Sequence, residues 1–293
     1  MIAGEPTSCS LNPSTGHEID RPLIPLNKKR SLLVVGGGPA GIEAARVGVK
    51  RGFDVTLWEA SDRLGGNLWP AAKPDFKQDI LHYLNYLKDL ALRLPVDIVF
   101  EKQATVGDII SFDADYVMLA TGANMEPLPF NNSAKDHVLT AIQVLNGMEP
   151  WGEKVLVMGG GVQGCETAVY LARSDKKVTI STRRDTDALA VELFDHNNRL
   201  MLLQMITAAN ITVLSNAVPV SLEKDGIVVN QQGLEKKIAV DSLVFAGRLI
   251  SENSLSKALE NESNIFSIGD CVQPSRIMDA VWGGFNAVRE IEK

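Results

Sequence analysis

At 293 residues the chain exceeds what one hydrophobic core usually holds, so two domains of roughly 100 to 200 residues are expected. Hydrophobic residues make up 45% and charged residues 22%, which excludes wholesale disorder, and a net charge of -7 excludes a general nucleic-acid binder, which needs a basic surface. No apolar stretch approaches the roughly 20 residues of a membrane span, and Met1 to Ser10 lacks a basic region followed by an apolar run, so a cytoplasmic protein is expected.

Residues 1–30 carry Pro6, Pro13, Pro22 and Pro25 without helical or strand periodicity and form an irregular lead-in. Ser31-Leu32-Leu33-Val34-Val35 then predicts a short buried strand. The loop Gly36-Gly37-Gly38-Pro39-Ala40-Gly41 follows, and Ile42 to Lys50 predicts a helix packed closely on a sheet. Phe53 to Glu59 is expected as the second strand. Gly36, Gly38 and Gly41 have the spacing for a tight turn, for backbone approach to a pyrophosphate and for close helix–strand packing. Glu59, at the end of that second strand, can accept both hydroxyl protons of an adenosine ribose.

Farther on, Phe76, Ile80, Tyr83, Leu84, Leu87 and Leu90 predict an amphipathic helix over 75–94. Val96 to Phe100 and Tyr116 to Ala120 read as strands, the latter ending at Thr121-Gly122, and Pro127 and Pro129 mark a crossing between domains. The glycine pattern then recurs as Gly159-Gly160-Gly161-Val162-Gln163-Gly164, 123 residues after the first, with Val178-Thr179-Ile180 matching Val55-Thr56-Leu57 at the same offset. Gly159, Gly161, Val162 and Gly164 repeat the phosphate cradle, but Thr182 stands where Glu59 stood. Arg183 and Arg184 follow at once, and guanidinium groups there suit a 2′-phosphate, favouring NADP(H) over NAD(H). The same arginines also fit a solvated surface, neutralised by Asp185 and Asp187. A hairpin is expected near Asp225-Gly226, and Asn264 to Ile268 forms another short strand ending at Gly269-Asp270.

Arg63-Leu64-Gly65-Gly66-Asn67, Thr121-Gly122 and Gly269-Asp270 together resemble the FAD-binding pattern of flavoproteins built from two dinucleotide-binding domains. The resemblance implies an α/β fold of two Rossmann-like domains. The flavin domain would comprise 31–130 plus 246–293, with a nicotinamide domain, 131–245, inserted. It further implies that Gly65, Gly66 and Asn67 form a second close-backbone loop. Asp270 would contact the ribityl and phosphate region, Ala280 and Val281 would lie on a helix start near the flavin pyrimidine, and Glu166 would approach the nicotinamide amide. A first-turn acid favoured by the helix dipole is the other reading of Glu166.

The three cysteines, Cys9, Cys165 and Cys271, are odd in number and include no Cys-x-x-Cys pair, so a dithiol redox cycle is not expected. Cys165 and Cys271 read as small buried side chains. His17, His82, His137 and His196 show no metal spacing. Thr7-Ser8-Cys9-Ser10-Leu11-Asn12-Pro13, with the two glycine loops and Gly269-Asp270, resembles the C-terminal part of the 2,4-dienoyl-CoA reductase and trimethylamine dehydrogenase family, old-yellow-enzyme-like iron–sulfur flavoproteins. In that family an FMN barrel precedes the dinucleotide domains, and Cys9 matches the last of four cysteines holding a 4Fe–4S cluster. The barrel and the other cluster cysteines are absent from this chain, so a longer polypeptide or a separate subunit is expected to supply them. The resemblance implies an electron-input module that passes hydride from NADPH to FAD. Two alternatives are a non-catalytic module holding ADP in the first site and a free-standing NAD(P)H oxidase or diaphorase.

Overall fold

The computed structural model describes residues 8–129, 137–193, 197–223 and 226–292. In chain order its elements begin with β1 (Ser31–Val35), α1 (Pro39–Arg51), β2 (Asp54–Trp58), α2 (Leu68–Ala72), α3 (Gln78–Arg93), β3 (Val96–Val99), α4 (Val106–Phe112), β4 (Tyr116–Leu119) and β5 (Ala123–Met125). Next come β6 (Val138–Thr140), α5 (Ala141–Leu145), β7 (Lys154–Met158), α6 (Val162–Ala172), β8 (Lys177–Ser181), α7 (Asn197–Ala208) and β9 (Thr212–Leu214). The chain continues with β10 (Ala217–Glu223), β11 (Gly226–Gln231), β12 (Leu234–Ile238) and β13 (Ser242–Phe245). It closes with β14 (Leu249–Ser251), α8 (Ser254–Ala258), β15 (Ile265–Ser267) and α9 (Ile277–Glu290).

The chain divides into two compact units, one of residues 1–69, 79–124 and 249–293, the other of residues 70–78 and 125–248. The first unit holds a parallel sheet in the order β15-β4-β1-β2-β3. The second holds a parallel sheet in the order β6-β13-β7-β8-β9, in which β13-β7-β8-β9 repeats the arrangement of β4-β1-β2-β3, while the edge strand β6 comes first in the chain where β15 comes last. Strands buried on both faces read as continuous apolar runs, which is why Leu32, Leu33 and Val34 are 0% exposed, as are Val155, Leu156 and Val157.

In the second unit one face of the sheet packs on α6 and α7 through Val157, Ala168, Ile180 and Ile206. The other face is covered by an antiparallel sheet, β10-β11-β12, through Leu156, Leu243, Leu222 and Ile227. The expected hairpin is the β10–β11 pair, though Asp225 lies outside the described residues. A further hairpin, β11–β12, turns at Gln232-Gly233 and was not expected.

The amphipathic helix begins later than its periodicity predicts, at Gln78 instead of Asp75. The reason is tertiary. Asp75 pairs with Arg173 at 2.6 Å and Phe76 packs against the core of the second unit, so both residues are drawn out of the helix. Helices α4 and α5 were also unanticipated, although Thr105 with Asp108 and Thr140 with Gln143 form reciprocal capping boxes at their starts.

The lead-in is held on the first unit by Arg51, 1% exposed, which donates to the carbonyls of Ile24, Val288 and Ile291. Helices α1 and α9 approach closely because Gly284 lies over Ala40, where a side-chain carbon would stand 2.2 Å from the Ala40 carbonyl oxygen.

Candidate functional site

Each parallel sheet brings its glycine loop to the carboxyl end of its central strand, β1 or β7, where strand order reverses and nucleotides bind in open α/β sheets. The two loops are constrained alike at the turn and at the helix–strand contact. Gly36 (φ +111°) donates to Trp58 O at 2.7 Å, and Gly159 (φ +135°) donates to Ser181 O at 2.9 Å. A Cβ at Gly36 would lie 2.3 Å from Ala120 O, and one at Gly159 would lie 2.3 Å from Ala246 O. A Cβ at Gly41 would stand 1.9 Å from Gly36 O, and one at Gly164 would stand 2.0 Å from Gly159 O. These contacts leave no room for a side chain, so glycine at the turn and at the helix–strand contact is a steric requirement.

Gly38 is the N-cap of α1 and Pro39 fills a first-turn position where a missing N–H costs nothing. A Cβ at Gly38 would meet nothing within 4 Å, so this helix start is open to a ligand. Glu59 accepts from the Gly37 N–H at 2.7 Å with one oxygen and from the Ser61 N–H at 2.8 Å with the other, which fixes its carboxylate beside the glycine loop. Gly65 donates to Gly37 O at 2.8 Å and Gly66 approaches the Gly38 Cα, so the second loop docks on the first. Asn67 reaches the Ala123 carbonyl at 3.2 Å, while Thr121 Oγ1 donates to Glu252 O and Gly122 accepts from Glu252 N.

Gly269 closes on Ala40, where a Cβ would come within 2.8 Å of the alanine side chain, and Ala280 and Val281 lie buried in the first turns of α9. Asp270 accepts from the Ser275 N–H at 3.2 Å, and burial pushes its carboxyl above the usual value of 3.8. In the first unit, then, Gly36 to Gly41, Glu59, Gly65-Gly66, Gly269 and the α9 start are brought together. The open helix start, the fixed carboxylate and the half-buried acid form a donor and acceptor set that fits an adenine dinucleotide.

In the second unit Gly161 caps α6. Thr182 is buried beneath Gly160, and its Oγ1 accepts from the Arg184 N–H at 3.2 Å, the position Glu59 occupies toward Ser61. Arg183 and Arg184 are exposed, and among the described residues neither joins an ion pair. Asp185 accepts instead from Asn216 Nδ2 at 2.6 Å.

Glu166 is paired with Lys77, a partner that sequence reasoning missed because 89 positions separate them. Glu192, also missed, sits at the start of α6, its Oε2 accepting from the Val162 N–H at 3.2 Å. Around the first loop, Trp69 donates to Leu64 O while Arg63 and Lys88 lie over its ring at 4.3 and 4.8 Å.

Cys9 is half-buried, and its carbonyl accepts from Trp282 Nε1 at 3.0 Å, with the Arg21 guanidinium 4.9 Å above that indole. Among the described residues no three His, Cys, Asp or Glu side chains are grouped to hold a metal. Cys165 and Cys271 are buried and free, and burial pushes the Cys165 thiol up to about 12, so it carries no thiolate at neutral pH. His17 lies 3.7 Å from Asp20 and His137 contacts Asp241 O, while His196 lies outside the described residues. No described helix is long and apolar enough to cross a membrane.

Two parallel sheets with duplicated glycine cradles define an α/β protein of the two-dinucleotide-domain class. The pyridine nucleotide-disulphide oxidoreductase family model matches residues 30–284, and the chain belongs to that family. Cinnamate reductase of Clostridium sporogenes is 36% identical over 97% of this chain and 43% of its own length. NADH oxidase of Thermoanaerobacter brockii is 32% identical over 97% of this chain and 44% of its own. A 2-naphthoyl-CoA reductase structure superposes with TM-score 0.89 at 27% identity, covering 98% of this chain and 44% of that one. The chain thus spans less than half the length of these relatives and corresponds to the C-terminal flavin-reductase part of their group. It is a flavoprotein oxidoreductase module.

Proposed function

We propose that the chain is the electron-input module of an iron–sulfur flavoprotein, taking reducing equivalents from NADPH and handing them to a partner barrel. The observation that carries this reading is the divergence, at the end of the second strand, of two cradles with the same glycine turn. The first ends in a fixed carboxylate, Glu59, and the second in a buried threonine followed by two arginines without ion-pair partners among the described residues. A carboxylate suits free ribose hydroxyls, and paired guanidinium groups suit a 2′-phosphate.

In the first unit Gly36, Gly38, Pro39, Ala40 and Gly41 would hold the FAD pyrophosphate on the α1 dipole, Glu59 its adenosine ribose, and Asp270 its ribityl chain. Gly65, Gly66, Asn67, Thr121 and Gly122 would wall the same site, with Ala280 and Val281 presenting the α9 start. In the second unit Gly159, Gly161, Val162 and Gly164 would hold the NADPH pyrophosphate, Arg183 and Arg184 its 2′-phosphate, and Glu166, held by Lys77, its carboxamide. FAD bound this way would supply the acceptor for the nicotinamide hydride and release electrons onward, so the residues act by positioning. Cys9 would contribute one thiolate to a 4Fe–4S cluster completed by cysteines outside this chain, with FMN in the partner barrel.

The test is to load the folded chain with FAD and mix it with NADPH without oxygen. Bleaching of the flavin absorbance is the expected result. A fully loaded sample that fails to bleach, or one that releases ADP and no flavin on denaturation, overturns the proposal.

A further inference from the structure

The two helix starts differ in one respect that the glycine pattern does not reveal. At Gly38 the space ahead of α1 is open to 4 Å, whereas at Gly161 a Cβ would meet Glu192 Oε1 at 3.0 Å. The other oxygen of the same carboxylate accepts from the Val162 N–H. The N–H groups that would receive a pyrophosphate in the second unit therefore already face an anion from this chain.

The placement is built into the path of the chain. After β8 the backbone doubles back, and Ala190 N–H donates to Gly160 O at 2.9 Å. Leu189 and Ala190 are 2% and 0% exposed, and Ala190 holds φ +48°, a conformation an alanine adopts only where its surroundings impose it. Arg199 on α7 clamps the segment further, donating to Leu189 O at 2.9 Å and to Asp187 O. Leu193 N–H returns to Ala190 O at 2.9 Å, closing the turn that carries Glu192. The side chain of Glu192 itself is exposed, so it can rotate away without losing buried contacts.

We propose that Glu192 is an affinity-setting residue of the second cradle, an intrachain anion that occupies the α6 N-terminus and competes with the incoming pyrophosphate. The inference rests on the reading that this cradle binds a nicotinamide dinucleotide. A helix N-terminus attracts one anion strongly, and a second placed a few ångströms from the first is repelled by it. Glu192 therefore satisfies the cradle while it is empty and lowers the net gain on binding. Because the pyrophosphate is common to NADPH and NADH, Glu192 opposes both equally, in contrast to Arg183 and Arg184, which distinguish them.

The experiment is fluorescence titration of the FAD-loaded protein with NADPH and with NADH, comparing wild type, Glu192→Gln and Glu192→Ala. Glu262→Gln, an exposed carboxylate in the other unit, controls for total charge. Both Glu192 variants are expected to tighten both nucleotides by the same factor, about fivefold, while the control leaves Kd unchanged. Unchanged or weaker binding in the Glu192 variants, with wild type still binding NADPH, overturns the inference and leaves the proposed function standing. Wild type that binds neither nucleotide overturns both.

Discussion

Replacing Arg183 and Arg184 together by alanine is expected to convert a nucleotide preference into indifference. Both side chains are exposed and, among the described residues, neither forms an ion pair, so their removal orphans no partner. The local backbone is anchored independently, since Arg184 N–H bonds Thr182 Oγ1 at 3.2 Å and Arg184 O accepts from Asn216 N at 3.2 Å. A desolvated guanidinium–phosphate bond contributes about 1.5 to 3 kcal/mol, and exposure reduces this to about 1 kcal/mol per arginine. Two arginines then contribute about 2 kcal/mol, or roughly thirtyfold in NADPH affinity, with NADH changed by less than about twofold. Anaerobic stopped-flow reduction of the FAD-loaded chain, with each nucleotide varied, separates the two dissociation constants. Equal weakening of NADPH and NADH, or no change in either, would refute the 2′-phosphate assignment.

Other substitutions test the first unit. Glu59→Ala removes the acceptor of the Gly37 and Ser61 N–H groups and is expected to lower flavin retained after gel filtration and to cost about 1 to 2 kcal/mol in urea unfolding. Arg51→Met leaves the carbonyls of Ile24, Val288 and Ile291 without that donor, and a loss of about 2 to 4 kcal/mol is expected in the transition of the first unit. Asp270→Asn tests linkage. Burial raises the folded-state pKa of this carboxyl above 3.8, so ionisation penalises the folded protein, and the penalty grows as pH rises from about 4 through the raised value. The apo variant is expected to be more stable than wild type at neutral pH and equal to it below about pH 4, and to retain less FAD. An apo stability difference that does not shrink on acidification contradicts that cause.

Much of the architecture is legible in local pattern. Both glycine loops, the strands before them and the shared offset of 123 residues predict two βαβ units, and the two parallel sheets share the order of four strands, β4-β1-β2-β3 and β13-β7-β8-β9. The starts of α4 and α5 were written in the sequence as capping boxes that periodicity alone overlooks. Other features had no local signature. Phe76 has perfect helical spacing with Ile80 and Tyr83, yet it serves the core of the second unit, because burial outweighs one turn of helix propensity. The pairing of Lys77 with Glu166 and the reach of Glu192 to Val162 join residues whose separation in sequence carries no spacing rule.

By itself, then, the sequence determined the repeated strand, turn and helix, and the chemical difference between Glu59 and Thr182-Arg183-Arg184. Steric limits on φ, ψ and Cβ act within a few residues and leave a readable glycine code. Only the tertiary structure decided which helix start stays open and which meets a carboxylate. That outcome depends on how the segment after β8 folds back onto Gly160, held by Leu189, Ala190 and Arg199. Long-range packing chooses that path, and no periodicity records it.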